Sequence, residues 1–311
     1  MTMAFSIKSI PGNNDLAKHS DELERGTGMS LLRIGKGNRG RKGKQQMPGF
    51  GLSLGLSLSY LSLLILIPLS MIFIYTSRLG WSGFLREISQ PIVVAACLLS
   101  FKTALIAAVI NLIFGVLTAW VLVRYSFPGR KLFDGLLDLP FALPTSVAGI
   151  TLATLYSTQG WVGRLLPFKV SYTQVGIIVA LIFIGMPFVV RIVEPVLQSM
   201  GAEKEEASAT LGASRLQTLI YVVFPNMRMA AFSGFALAFS RALGEYGSVV
   251  FIAGNMPLKT EIAPLVIMQK LEAFDYDGAT SVALVLLIAS FLILFLINFS
   301  QWLVRRKYAN D

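Results

Sequence analysis

Residues 92–123 read IVVAACLLSFKTALIAAVINLIFGVLTAWVLV, a run in which Lys102 is the single charge. A helix crosses the ~30 Å hydrocarbon core of a bilayer with about 20 apolar residues. This run is longer than one crossing needs, and tilt, an extension past the bilayer or an interfacial turn at its start would each take up the excess. Outward from it lie five more runs of the same character, at about 50–75, 136–157, 173–193, 229–252 and 280–304. Composition agrees, with 54% hydrophobic and 14% charged residues, where soluble domains carry about 25% charged. The expected fold is all-α: a polytopic membrane bundle of six transmembrane helices over 49–305, after a disordered basic tail at 1–48 and before a short tail at 306–311.

The same composition excludes several chemistries. Cys97 is the one cysteine, so neither a disulfide framework nor a cysteine metal cluster is available. His19 is the one histidine and lies in the polar tail, which removes an intramembrane Ser–His dyad and an H-E-x-x-H zinc site. No Asp stands in the apolar middle of a spanning run. The tail has no apolar h-region, and Asp15, Asp21, Glu22 and Glu24 are out of keeping with a transit peptide. Gly43-Lys44 is not a phosphate loop, because Asn38 stands where Gly is needed and Gln45 where Ser or Thr is needed. The chain is therefore read as a non-enzyme without an ATP site or cofactor of its own. The net charge of +10 does not call for nucleic acid, since it sits in the tail and beside the membrane segments.

Those flanking charges orient the bundle. With the N-terminus inside, nineteen Lys and Arg lie in inner segments and six in outer loops, and ten against six remain without the tail. Both termini are expected to be cytosolic, or stromal in a plastid.

The long inner loop at about 194–228 reads as two helices. Glu203, Glu205 and Glu206 open the first, where the macrodipole favours acids. Gly212 breaks it, Ser214 caps the second, and Pro225 ends that one. Leu216, Leu219, Ile220 and Val223 recur at helical spacing. From the residues alone, such a loop either protrudes into a groove on a cytosolic partner or lies along the lipid surface.

Glu206-Ala207-Ser208, then Gly212, Val222 and Phe224-Pro225, resembles the EAA signature of ABC importer permeases: Glu-Ala-Ala, three residues, Gly, nine residues, Ile, one residue, Leu-Pro. Ser208, Val222 and Phe224 depart from it mildly. The resemblance covers about 48–305 and is similar to the T-type permeases of sulfate/thiosulfate importers. It is carried further by Asp138-Leu139-Pro140-Phe141-Ala142-Leu143-Pro144-Thr145, Pro187-Phe188-Val189-Val190-Arg191, Arg241-Ala242-Leu243-Gly244-Glu245, Phe251-Ile252-Ala253-Gly254-Asn255 and Phe274-Asp275-Tyr276. Molybdate permeases share parts of these stretches. What the resemblance implies is a channel-forming subunit in a bacterial inner membrane or a plastid membrane. Its implied partners are two copies of a cytosolic ATP-binding subunit, a second permease, an external sulfate-binding protein and the surrounding lipid. It also implies a coupling element at Glu205, Glu206, Ala207, Gly212, Ala213 and Pro225.

Pore or gating candidates follow from polar and helix-breaking residues within the runs. Arg241 and Glu245 are four apart, so they share a helix face. A charge at mid-span costs about 2.5–3.5 kcal/mol, and pairing reduces that cost. Arg241 either lines an anion path or forms a structural pair that locks two helices. Pro140, Phe141, Pro144 and Thr145, and likewise Pro187 after Gly185, free backbone groups that lipid cannot satisfy. These breaks line a pore or serve packing. The alternatives to a sulfate permease are a molybdate or tungstate permease of the same type, or a self-sufficient anion channel or secondary carrier. A carrier would need its own coupling site, and Glu245 is the one carboxylate deep in a run.

Overall fold

A computed structural model describes residues 50–309. The basic tail expected at 1–48 lies outside the described residues. The chain divides into two compact units, Met1–Leu56 and Ser57–Asp311; of the first, only the opening turns of a helix are described. Every regular element among the described residues is helical.

Five helices among the described residues have the length and composition to cross a membrane: α1 (Phe50–Arg78), α3 (Pro91–Arg124), α7 (Gln174–Met200), α9 (Arg215–Leu243) and α12 (Tyr276–Ala309). Between the first two lies α2 (Gly80–Ile88). The sixth run, expected as one helix over 136–157, is divided into α4 (Arg130–Leu137), α5 (Leu139–Ala142) and α6 (Thr145–Leu155). Leu143 and Pro144 are extended, with ψ of 137° and 133°. A residue before proline is pushed out of the helical region, and Pro144 brings no N–H to continue the ladder. Of the pieces, α6 is the apolar one; at 11 residues it spans about 16 Å, half a bilayer core.

Two other expected boundaries shift. The run at 229–252 ends as a helix at Leu243 and resumes, after a turn at 244–248, as the one-turn α10 (Val249–Ile252). Pro225 does not end a helix, because α9 continues through it. The turns ahead of Pro225, Thr218–Val223, widen to a π-helix, and the same widening over Ser62–Leu66 precedes Pro68 in α1. A widened turn makes room for the carbonyl that proline cannot bond, and the Asn226 side chain donates to the Val222 carbonyl at 2.6 Å. Pro187 likewise lies buried inside an unbroken α7, where a break was expected. The last helix runs past residue 305 to Ala309.

The bundle forms around α3, α7 and α9, each packed along the other two. Small residues permit the close approach. Ala104, Ala107, Ala108 and Ala119 of α3 are fully buried, and Gly115 faces Val189 so closely that a Cβ would stand 2.8 Å from its side chain. Gly234 of α9 meets Val189 from the other side. Helices in lipid gain by such packing, because the tails around them are as apolar as leucine. The short helix α6 packs on α10, with Gly149 against the Ser248 backbone; a Cβ there would overlap the Ser248 carbonyl oxygen. Gly149→Val is expected to cost about 1–3 kcal/mol through overpacking, read as a lower Tm in detergent at unchanged helix content.

The end of the bundle that carries the 201–214 turn is the inner end in the charge-based orientation and is called the loop end below. At the far end, α11 (Ala263–Glu272) packs on α3 and α12. There Lys270 bonds Glu87 of α2 and, at 3.1 Å, Asp275, while Asp275 accepts from the Gly278 N–H at 2.9 Å. Burial opposes the charge on Lys270, but its two carboxylate partners outweigh it and raise the pKa. Burial opposes the Asp275 carboxylate too, and the Gly278 N–H with Lys270 lowers its pKa despite it.

Candidate functional site

The inner loop is a compact helix–turn–helix. Gly201, at φ 68°, turns the chain out of α7, and α8 (Glu203–Thr210) follows. Its C-terminus closes by two bonds: Gly212 N–H to the Ala209 carbonyl at 3.0 Å, and Ala213 N–H to the Ser208 carbonyl at 3.1 Å. That pattern needs a left-handed residue at the turn, and Gly212 supplies it at φ 84° with no atom within 4 Å of the missing Cβ. The demand at this position is conformational, since space is open. Ser214 then caps α9 in a reciprocal capping box with Gln217, as its sequence position suggested. Between the two helices the Ser208 and Thr218 hydroxyls bond at 2.8 Å in a buried position. The serine that departs from the EAA pattern thus has a partner of its own.

The loop's acids separate into two roles. Glu206 is exposed, as are Leu211, at 89%, and Leu216 and Tyr221, at 65% and 75%. Glu205 points the other way, into the protein. Its carboxylate accepts from Arg124 Nε at 2.7 Å and Trp120 Nε1 at 3.3 Å, and Arg124 also donates to the Gly201 carbonyl. Ala207 and Pro225 are exposed, and Ala213 is half-buried. The apolar face expected at Leu216, Leu219, Ile220 and Val223 is divided: Leu219 and Val223 are buried, whereas Leu216 and Ile220 are exposed. Helical spacing placed all four on one side, but the widened π turns rotate the register.

The two proline-bearing stretches meet. Asp138, just before Pro140, bonds Arg191 of α7 at 2.9 and 2.6 Å. Arg191 also reaches Asp134 at 2.8 Å and Glu194 at 2.7 Å. Phe141 stands edge-on to Phe188 with ring centroids 5.0 Å apart. The divided segment is thereby fastened along one turn of α7, Pro187 to Arg191. Two carboxylate partners of Arg191, Asp134 and Asp138, carry no local signal in the sequence, because they lie more than fifty residues upstream.

At the end of α9, Arg241 pairs with Glu245 at 2.5 Å. The pair is not at mid-helix: Arg241 lies in the last turn of α9 and Glu245 in the turn beyond it. It ties that turn to its own helix and does not lock two spanning helices. Glu245 is 2% exposed and accepts from the Ser248 N–H and hydroxyl at 2.9 and 3.0 Å. Arg241 keeps 35% of its side chain exposed and meets Glu245 through one nitrogen, Nη1. Gly247 in the same turn touches Thr145, at the start of α6. Thr145 and the Arg241–Glu245 turn therefore come together, while Phe141 meets Phe188 and Asp138 meets Arg191; Pro140 neighbours Phe141 in the chain and Pro187 neighbours Phe188. Asn111 of α3 donates to the Leu181 carbonyl of α7 at 3.5 Å and faces Gly185.

Comparisons with known proteins bear on this arrangement. The family described as "Binding-protein-dependent transport system inner membrane component" matches residues 111–310. The "Sulfate transport system permease protein CysT" of Salmonella typhimurium is 49% identical over 261 residues, covering 83% of this chain and 94% of that one. The protein of the same name from Synechocystis sp. is 47% identical over 256 residues, 81% of this chain and 89% of that one. "Probable sulfate transport system permease protein cysT" of Nephroselmis olivacea is 47% identical over 245 residues, 78% and 86%. Among solved structures, a bacterial alginate ABC transporter in complex with an alginate pentasaccharide-bound periplasmic protein matches at TM-score 0.68 and 14% identity. The match covers 81% of this chain and 94% of that one, a likeness of fold.

Proposed function

Since the chain belongs to the family of inner membrane components of binding-protein-dependent transport systems, we propose that it is the channel-forming permease of an ATP-driven sulfate or thiosulfate importer. The observation that carries the mechanism is the loop from Glu203 to Pro225. It is rigid, because its turn, cap and buried hydroxyl pair are all satisfied internally. It also presents acids and large apolar side chains outward, at Glu203, Glu206, Leu211 and Tyr221. A rigid helical protrusion with an apolar tip suits a groove on a partner, and an exposed apolar patch calls for cover. The partner is a cytosolic ATP-binding subunit, in two copies. One engages Glu206, Ala207, Gly212, Ala213 and Pro225 of this chain, and the other engages a second permease.

In this reading the chain performs no covalent chemistry. ATP-driven movement of the partners reaches the bundle through the loop, and an external sulfate-binding protein delivers the anion at the far end. Arg241, with donors left over from Glu245, contacts the oxyanion as it passes. Thr145 and the break between Pro140 and Pro144 gate the path, and the Arg191 cluster and Pro187 hold that gate to α7. The excess of Lys and Arg at the loop end puts both termini in the cytosol or stroma. Permeases of this kind from a bacterium, a cyanobacterium and an alga are in keeping with a bacterial inner membrane or a plastid membrane.

The test is a pull-down of the tagged chain in gentle detergent, with ATPase activity assayed on the eluate. An ATPase is expected to co-elute with the wild-type chain and to be lost from the double variant Glu206→Ala, Leu211→Ala. A chain that elutes without ATPase would move the assignment to a self-sufficient carrier.

A further inference from the structure

We infer that Arg124 and Glu205 are positioning residues that fasten the coupling loop to α3 and make α3 the rod carrying its movement to the far end of the bundle. The inference rests on the reading of residues 203–225 as the coupling loop. Glu205 stands beside Glu206 in sequence and has the same charge, yet its side chain is 14% exposed and is turned away from the docking face. Its two oxygens take the Arg124 and Trp120 donors, four residues apart on the last turns of α3. The Arg124 guanidinium takes the Gly201 carbonyl as well. One side chain of α3 therefore holds the loop on both sides of the α7–α8 turn. Just beyond, Arg215 at the start of α9 donates to the Tyr125 hydroxyl at 3.3 Å and lies over its ring. The end of α3 thus touches both helices of a loop that follows it by some eighty residues in the chain.

The helices that flank the loop covalently are less suited to carry a displacement. Pro187 and Pro195 each remove a bond inside α7, and α9 is widened over Thr218–Val223 before Pro225. Missing or lengthened helical bonds are where helices bend. α3 is 34 residues long and beyond Pro91 in its first turn holds neither a proline nor a widened turn, a rod of about 51 Å. Its far half is fastened as firmly as its loop end. The Ser100 hydroxyl accepts from the Ala263 N–H at 2.9 Å in a buried position, and Val93 and Ala96 pack with Ala263, Val266 and Val282. A shift of the loop thus reaches α11 through α3, without first passing through a helix that can bend.

The experiment uses the complete complex in liposomes, with the external binding protein present. Glu205→Ala, Arg124→Ala and the double variant are compared for the ATPase that co-purifies and for ATP hydrolysed per sulfate imported. Both single variants are expected to keep the ATPase at the wild-type amount and to raise the ratio about 5- to 30-fold. The double variant is expected to match the singles, because all three cut one link. Trp120→Phe, which removes only the indole N–H and serves if the alanine variants fail to insert, is expected to raise the ratio by a smaller factor. A wild-type ratio in the variants that assemble overturns the inference. So does loss of the ATPase from Glu205→Ala alone, which would make Glu205 a docking contact. A wild-type complex that brings down no ATPase removes the coupling reading and this inference together, whereas a coupled wild type with equally coupled variants removes only the inference.

Discussion

Gly212→Pro is expected to abolish sulfate uptake while leaving the chain inserted in the membrane at its normal amount. Two independent losses meet at this position. Proline holds φ near −65°, whereas Gly212 stands at 84°, and proline also lacks the N–H that Gly212 gives to the Ala209 carbonyl at 3.0 Å. Together these cost the turn about 3 kcal/mol or more, roughly a hundredfold in the population of the native loop. Gly212 is exposed and nothing stands within 4 Å of its missing Cβ, so the bundle around α3, α7 and α9 has no reason to change. Gly212→Ala is the graded control. Nothing stands within 4 Å of the added Cβ, and only the left-handed conformation is penalised, by about 1–2 kcal/mol. Uptake is expected to fall in the order wild type, alanine, proline. Normal uptake with proline would detach the loop from coupling.

Arg241→Met is expected to give the second large effect, and its rescue separates two roles for the side chain. The substitution leaves the Glu245 carboxylate, 2% exposed, without its counter-ion. Breaking a buried pair on one side costs about 3 kcal/mol or more, and the partial exposure of Arg241 holds the figure at the low end. The expected readout is a lower Tm in detergent together with lost uptake. Adding Glu245→Gln removes the stranded charge and keeps an oxygen for the Ser248 N–H and hydroxyl, which it accepts at 2.9 and 3.0 Å. The double variant is expected to recover Tm and assembly without recovering uptake, as an anion contact through Arg241 requires. Recovery of both would reduce the pair to a structural tie between α9 and the turn that follows.

The apolar runs were enough to establish a membrane bundle, because the length of a spanning helix is set by the bilayer and is visible in one dimension. The features of the loop that depend on residues three to five apart were equally legible. Gly212 at the turn and Ser214 at the cap both stand where their local chemistry placed them. The Glu-Ala-Ser, Gly and Pro spacing, from Glu206 to Pro225, likewise carries the family resemblance in the sequence alone.

Tertiary structure decided what depends on distant parts of the chain. Glu205 and Glu206 are indistinguishable in sequence, and only the end of α3, some eighty residues upstream, draws one inward and leaves the other exposed. The prolines at 140, 144, 187 and 225 read alike as breaks, yet the chain is extended only at Leu143-Pro144. Pro187 is buried inside a continuous helix, and the carbonyl freed by Pro225 has a widened turn around it. Arg191 gave no sign of Asp134 or Asp138, since nothing local distinguishes a clamped arginine from one at a membrane surface. A repeating pattern reports what neighbouring residues share. Which face is covered, which charge is paired and which proline breaks its helix are settled by the neighbours that folding brings from elsewhere.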